Sequence, residues 1–524
     1  MDIVRKIYTA VIALALAGFC PAYGQADSAA VPAANRAFEA VHARDDASRF
    51  VGFAFENPAI KGFQWSSSLS DMAFAWDYRD EDEAFVIQEG TGGSHWSLSA
   101  DSYKIIDGRN VVWGGARYKR GKVRNVSWNH SSDYSVLYPY VTIDTLALDR
   151  ESEEYGFNGG YFHRFGRVAA GLQGDLRAMQ EYRDRDPRPR NITIDLHLSA
   201  GVSAELGGKY RAGASFMFRK YKQSGDVGNN DVLGSVTSYK WGAGMGAIMS
   251  DFLSKGSAST LYRGHAYGAS MDVVPVGASG FHARVSYDRF VFERVAQSVG
   301  DKVPGNKMIH QTVNAEGVYR MSIGRFDLGA GVGFTHRFRE GIETIIANTT
   351  ANNYAVLGRL SRYEERASDY SVRLRADYRW AGYTLGLEPR AAISSSKVRY
   401  VGDRDPSAMI IRYKEVGLRF SLAKRWDGTL LQCGVGVNRH IDGDGELRLP
   451  TMVAMDNEMP GSFDMMHYVF SRYSSDYTTY DANVRVDFPA WKKNTIFVSA
   501  AWTRGDYKQD LISDTVSLTV GMSF

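Results

Sequence analysis

The nine residues Val516-Ser-Leu-Thr-Val-Gly-Met-Ser-Phe524 alternate apolar and small side chains and run out on an aromatic carboxyl-terminal residue. In an extended strand successive side chains point to opposite faces, so Val516, Leu518, Val520, Met522 and Phe524 share one face. Ser517, Thr519, Gly521 and Ser523 share the other. The same period recurs over most of the chain. Ile192, Ile194, Leu196, Leu198, Ala200 and Val202 oppose Thr193, Asp195, His197, Ser199, Gly201 and Ser203. Val372, Leu374, Ala376 and Tyr378 oppose Ser371, Arg373, Arg375, Asp377 and Arg379. A period of two excludes a helical architecture but fits either a soluble sandwich or a barrel. The connections decide between them.

Short glycine-containing turns stand at Phe165-Gly166, Gly207-Gly208, Ile323-Gly324, Ala381-Gly382 and Trp426-Asp-Gly428. Between them, long strand pairs open at their other ends into extended loops near 132–153, 223–265, 339–366 and 442–475. Short turns on one side and long loops on the other predict an all-β fold, a transmembrane antiparallel up-and-down β-barrel of about 16–18 strands. Counted back from Phe524, this parity holds to about residue 95, with the first two strands expected near 67–78 and 83–90. Composition agrees. Tyr (30) and Phe (26) are abundant enough for interfacial girdles. A mean hydropathy of −0.30 is what a wall with every second residue in water produces. A net charge of +3 is too near balance to suggest nucleic acid as a partner.

At the other end, Arg5 and Lys6 precede an apolar run from Ile7 to Cys20, and Ala22-Tyr-Gly24 supplies small residues for cleavage. The expectation is a signal peptide at 1–24 and a mature chain from Gln25. Bulky Phe19 before Cys20 argues against lipidation. Cys433 then remains as a single cysteine, on the apolar parity with Leu431, Val435 and Val437, and no intramolecular disulfide can form. Residues 25–66 form a separate N-terminal segment, helix or coil from Ala29 to Phe50, leading through Glu56-Asn-Pro-Ala59 into a barrel at 67–524.

The closing strand, with Val520, Met522 and Phe524, resembles the last strand of bacterial outer-membrane barrels. That resemblance implies the outer membrane of a Gram-negative bacterium, with the barrel-insertion machinery reading the terminal aromatic. Asn57-Pro-Ala59 resembles the N-terminal region of fatty-acid-transporter-like barrels, which implies a short hatch-like segment in the lumen. Tyr138-Pro-Tyr140 leading to Asp144-Thr145, Tyr155-Gly-Phe-Asn-Gly-Gly160, and Tyr182-Arg-Asp-Arg-Asp-Pro-Arg-Pro-Arg-Asn191 are similar to an uncharacterised family of Bacteroidota outer-membrane barrels. This last resemblance implies fold and location and no activity.

Three groups of residues could carry chemistry. Arg183, Arg185, Arg188 and Arg190 form the densest charge cluster, a candidate for an anionic ligand or a lipopolysaccharide phosphate. The competing expectation is that they pair with Asp184 and Asp186 in a turn stiffened by proline. Asp195, His197 and Ser199 suggest a hydrolase. Yet same-face neighbours on one strand stand about 7 Å apart, too far for a relay, and read as lumen wall. Arg373 and Arg375 are inward candidates of the same kind. Met452, Met455 and Met459, with Met465, Met466 and His467 nearby, offer soft ligands of the kind Cu(I) takes. They would serve equally as the packing stripe of a helix capping the barrel.

No cofactor and no enzymatic activity are expected. The expected function is a passive or hatch-gated channel for small polar or amphipathic solutes. A plug built from about 40 residues is small for energised uptake, since folded domains are usually larger. The alternative is a non-conducting scaffold that binds a surface lipoprotein, an uptake receptor or a secretion component. An outer-membrane hydrolase comes third, because no converging nucleophile, base and orienter can be named.

Overall fold

The structure, a computed structural model, describes residues 50–185, 188–228, 240–249, 258–297, 302–350, 353–402, 406–426, 428–450, 461–490, 494–508 and 511–524. The expected signal peptide and the 29–49 stretch lie outside these residues. Among those described, eighteen long strands form one antiparallel sheet closed on itself. In chain order they are β1 Leu69–Glu81, β2 Gly92–Ile105, β3 Asn110–Val126, β4 Leu148–Phe165, β5 Val168–Tyr182 and β6 Arg188–Leu206. Then come β7 Tyr210–Gly228, β8 Ala258–Pro275, β9 Gly280–Gln297, β10 Lys302–Ile323, β11 Phe326–Thr350 and β12 Asn353–Trp380. The last six are β13 Tyr383–Tyr400, β14 Ser407–Trp426, β15 Thr429–Asp442, β16 Tyr477–Pro489, β17 Thr495–Tyr507 and β18 Leu511–Ser523.

Each strand pairs with its neighbours in sequence, and β18 returns to β1 in a register running from Asp71 opposite Ser523 to Glu81 opposite Ser513. Phe524 itself completes the seam. Its N–H donates to the Ser70 carbonyl at 2.9 Å, and Ser70 N–H donates to the Phe524 carbonyl at 3.0 Å. Closure leaves no long unpaired edge.

The turn expectation holds. Ala381 and Gly382 take φ of +45° and +78°, the left-handed pair that a two-residue hairpin requires. Two expectations need correction. Residues 83–90 are not a strand: β1 runs on to Glu81, and Ile87–Glu89 is a single 3-10 turn before β2. Residues 339–366 are not an extended loop. Buried, inward-facing Arg339 and Tyr363 alternate with outward-facing Phe338, Glu340 and Glu364, and β11 and β12 pair from Phe326 opposite Tyr378 out to Thr350 opposite Asn353.

Burial is inverted relative to a soluble protein. Leu172, Val202, Phe216, Met271, Val332, Val372, Val416 and Val435 are exposed on the outer wall, while Thr193, Asp272, Asp377 and Asp487 are buried inside. Among the described residues no helix is long and apolar enough to cross a membrane.

At the long-loop end the lumen holds an apolar core. Residues 127–147 fold inward with the helix Tyr134–Leu137, and a short hairpin of Lys240–Gly244 and Ala247–Met249 packs beside them. Leu137, Tyr140, Ile143, Met245, Phe292, Met308, Tyr363 and Met466 share this core. Arg294 of β9, fully buried, ties the two loops to the wall. Its guanidinium donates to the carbonyls of Val141 and Gly242, each at 3.0 Å, and its Nε to Asn306 Oδ1 at 2.9 Å. Its carbon stands 4.2 Å from the Trp241 ring centroid and 5.3 Å from that of Tyr140. Arg294→Met keeps the bulk and strands those acceptors. Each buried polar group left without its partner costs about 1–3 kcal/mol. The expected outcome is rapid proteolysis between 127 and 147, while the barrel keeps its heat-modifiable gel mobility.

Candidate functional site

The lumen is divided between an occupied side and an open side. On the occupied side residues 50–68 lie against the inner faces of β2 to β12. The 3-10 turn Gly52–Phe55 leads to the helix Pro58–Lys61, capped by Asn57, whose Oδ1 accepts from Ala59 N–H at 2.9 Å. Asn57 is wholly buried, and its Nδ2 donates to Asp272 Oδ2 at 2.9 Å. Arg284 neutralises Asp272 at 2.6 Å and reaches Glu56 at 3.2 Å. Ser203 donates to the Ala59 carbonyl at 2.8 Å. The wall is cut back to receive this segment: a Cβ at Gly171 would collide with the Pro58 carbonyl, and one at Gly201 with Asn57 Oδ1. Aromatic side chains fix the flanks, Phe50 and Phe53 beneath Arg373, and Phe63 beneath Arg211.

Opposite this plug, β12 to β18 line a polar cavity of about 420 Å³. Its walls carry Arg375, Asp377, Arg419, Asp481, Asn483 and Arg485. Each guanidinium already has an anion. Arg375 donates to Asp377 at 2.8 and 2.9 Å and to Glu388 at 2.9 Å. Arg485 binds Asp487 at 2.7 and 2.9 Å, and Arg419 contacts Asp481 and Asn483.

Further out along the same strands is a second cavity of about 430 Å³. Tyr363, Met409, Tyr413, His440 and Tyr477 of the wall face Trp128, Tyr134, Met465, Met466 and Tyr473 of the inward-folded loops. Tyr413, His440 and Tyr477 form a row on adjacent strands, the imidazole centroid 4.3 Å from each phenol. Tyr507 extends the row at 5.0 Å.

The residues singled out from sequence fall in different places. Arg183 turns inward and is buried, 3.2 Å from Asp144, with its Nη2 on the Val126 carbonyl at 2.7 Å; burial draws its pKa down to about 10. Arg185, Arg188 and Arg190 are exposed. The four therefore do not converge, and Arg183 pairs with a loop carboxylate instead of its sequence neighbours. His197 is lumen wall as expected, but the distance argument needs correction. Its Nε2 lies 3.2 Å from Asp195 Oδ1, because the imidazole leans along the strand and spans the gap between the two Cα atoms. Asp195 is held chiefly by Arg219, at 2.7 and 2.8 Å. Arg373 contacts Glu316 and the plug, and Arg375 lines the polar cavity.

Met452, Met455 and Met459 lie outside the described residues. The helix Ser462–Tyr473 buries Met466 in the core and leaves His467 exposed, so the described part of that set faces two ways. Among the described residues no cluster of three His, Cys, Asp or Glu could hold a metal ion. Val520 and Phe524 are exposed on the outer wall, and Met522 shares their strand face. Sequence reading missed Asp272 and the Tyr413–His440–Tyr477 row. Strand parity places all four inward, but only the closed sheet brings them beside their partners.

A family model described as a family of unknown function, DUF6850, matches residues 58–524. A search of curated proteins finds no match. Among solved structures, the siderophore receptor PiuA from Acinetobacter baumannii aligns at 7% identity and a TM-score of 0.41, over 86% of this chain and 82% of that one. The ferric-catecholate import receptor Fiu from E. coli K12 aligns at 7% and 0.37, over 86% and 81%. At identities and scores this low, neither bears on ligand or mechanism.

Two outcomes follow from the buried polar groups. Gly201→Leu places a side chain where Asn57 sits, so the plug should undock while the barrel persists. Trypsin should then cut at Lys61 far faster than in the parent, with the heat-modifiable band unchanged. At the outer end His130, 1% exposed, faces Asp144, which Arg183 also binds, with Arg150 nearby on the Asn129 and Ser131 carbonyls. Burial lowers the His130 pKa below 6.5, Asp144 offsets part of this, and Arg183 and Arg150 add to it. The folded loop thus binds fewer protons than the unfolded one, so its stability is full above the unfolded pKa and falls as the medium is acidified. Proteolysis of 127–147 should rise from about pH 7.5 to about pH 5, and His130→Asn should flatten that rise.

Proposed function

The chain belongs to the DUF6850 family, and we propose that it is a hatch-gated channel of the Gram-negative outer membrane passing small polar or amphipathic solutes. The observation that carries this reading is the divided lumen. The plug docks on β2 to β12, while the polar cavity lies along β12 to β18 and the outer cavity along β11 to β16. A barrel closed merely by its own side chains would have no need of a wall recessed at Gly171 and Gly201 for a separate segment. The outer-membrane address is supported by the apolar outward faces, which suit hydrocarbon, and by Phe524 at the closing seam. Its partners in this reading are membrane lipid, lipopolysaccharide and the insertion machinery. The hatch follows the pattern of the fatty-acid-transporter-like barrels that Asn57-Pro-Ala59 resembles.

The charges of the polar cavity are paired, along one strand for Arg375–Asp377 and Arg485–Asp487 and between strands for Arg375–Glu388 and Arg419–Asp481, so they present little net field to a passing ion. Uncharged solutes pass most readily through such a wall. Asp195 and His197 belong to a wall cluster with Arg219, and this reading assigns them no catalytic step.

One observation favours a second reading, a scaffold that binds a surface lipoprotein or uptake receptor: the apolar core of inward-folded loops narrows the outer mouth. Conductance in planar bilayers separates the two. The parent should show small ohmic openings with a potassium-to-chloride permeability ratio within about threefold of unity, as paired charges imply. Asp272→Ala leaves Asn57 and Arg284 without their buried acceptor and should enlarge the current. Silence from both proteins, with a lipoprotein co-purifying, would replace the channel by the scaffold.

A further inference from the structure

On the outside of the wall, at the short-turn end, an apolar groove of about 650 Å³ crosses β4 to β7. Tyr161 and Phe165 of β4 stand on one side and Phe216 of β7 on the other, over Ala170, Ala200 and Ala214. These residues share strand faces with exposed Leu172 and Val202, so the groove opens away from the lumen. Its turn-side end is polar. Tyr161 OH donates to Asn110 Oδ1, and His163 Nδ1 lies 2.7 Å from the same oxygen. Phe165 leads directly into the turn Gly166-Arg167, and Leu206-Gly-Gly-Lys209 joins β6 to β7 beside it. The Glu205 N–H donates to the Arg167 carbonyl at 2.8 Å and keeps the two turns together. Arg167 and Lys209 are exposed and form no ion pair among the described residues. The nearby carboxylates are engaged: Asp107 accepts from the Asn110 side chain and the Arg109 N–H, and Glu205 faces Arg164 at 3.4 Å.

We infer that this groove seats one anionic phospholipid of the periplasmic leaflet, with an acyl chain between the aromatic walls and the phosphate at Arg167 and Lys209. The inference rests on the outer-membrane placement proposed above and is independent of conduction. The chemistry of the site commits its occupant. A lining that is almost wholly apolar selects hydrocarbon. Two unpaired cations at its mouth select a headgroup of net negative charge, and the engaged carboxylates leave nothing for the ammonium of a zwitterionic lipid. The guanidinium of Arg167 can hold a phosphate through two N–H donors, and Lys209 adds a point charge. Short turns face the periplasm in barrels of this kind, where the leaflet is phospholipid and not lipopolysaccharide. A second outer-wall hollow, of about 590 Å³ around Phe281, Ala315 and Ile393, lies farther up the strands. No Lys or Arg lines it, and Ala315 stands in mid-strand on β10, well before the turn at Ile323. It offers apolar surface without the cations.

The test is native mass spectrometry of the full chain released from detergent. It is titrated with phosphatidylglycerol, with phosphatidylethanolamine of the same acyl chains, and with lipid A. A cation near an anionic surface contributes about fivefold in affinity. One phosphatidylglycerol should therefore bind at least tenfold more tightly than either other lipid. The double variant Arg167→Gln/Lys209→Gln should bring phosphatidylglycerol and phosphatidylethanolamine within about twofold of each other. Ala200→Phe, which fills the groove, should weaken both, and Ala315→Phe in the second hollow should change neither. All variants should keep the heat-modifiable band. Equal binding of the two phospholipids by the parent overturns the inference, as does tighter binding of lipid A or an unchanged double variant. Displacement of the lipid by equimolar glycerol phosphate also overturns it, since the site would then take a free anion. Failure of the parent to insert into phosphatidylcholine vesicles removes the membrane placement itself. Insertion without lipid preference removes this inference alone.

Discussion

Everything in this molecule depends on closing one hydrogen-bonded sheet. Pairing β18 with β1 satisfies the last open row of backbone donors and acceptors, and only then can the wall stand with no water on its outer side. Closure also decides which residues are inside. With a side-chain period of two, one register at the seam commits every second residue of all eighteen strands to the lumen. The double hydrogen bond between Ser70 and Phe524 fixes that register at its end. The inverted burial follows from it directly.

An interior that wide has to be filled or left wet, and the chain does both. Small residues such as Gly171 and Gly201 recess one arc of the wall, where the capped turn at Asn57 fits against backbone. Arginine–carboxylate pairs line the opposite arc, each arginine held by a carboxylate. The plug's arc carries a charge pair of its own, Arg284 with Asp272, turned to the buried Asn57, whereas Arg375 with Asp377 and Glu388 lines the open cavity.

Much of the architecture was legible from sequence because it rests on local rules. Alternation names the strands, and glycines at 166, 324 and 382 name the tight turns through their positive φ. Legibility failed where long-range pairing overrode local composition. Residues 339–366 read as a loop, yet β11 and β12 continue their pairing there and Tyr363 packs into the core of inward-folded loops. Arg183 read as a surface anion site because its neighbours are charged. Its partner, Asp144, belongs to a loop 39 residues away in sequence. The Asn57–Asp272 contact spans 215 residues, and no spacing rule reaches that far.

The same distinction explains why the outer cavity is built as it is. Its wall side comes from strands whose pairing is set by the barrel, so Tyr413, His440 and Tyr477 are held at the spacing of neighbouring strands, close to ~4.8 Å. Its other side comes from residues 82–91, 127–147, 443–450 and 461–476, held by polar anchors that include Arg294 and Arg339 from the wall and Arg472 on Glu83 between two of the loops. A rigid comb thus faces a surface whose position depends on a handful of buried guanidinium groups. Any motion that admits or releases a solute is therefore to be sought on the loop side, where each anchor can open without breaking a single rung of the sheet.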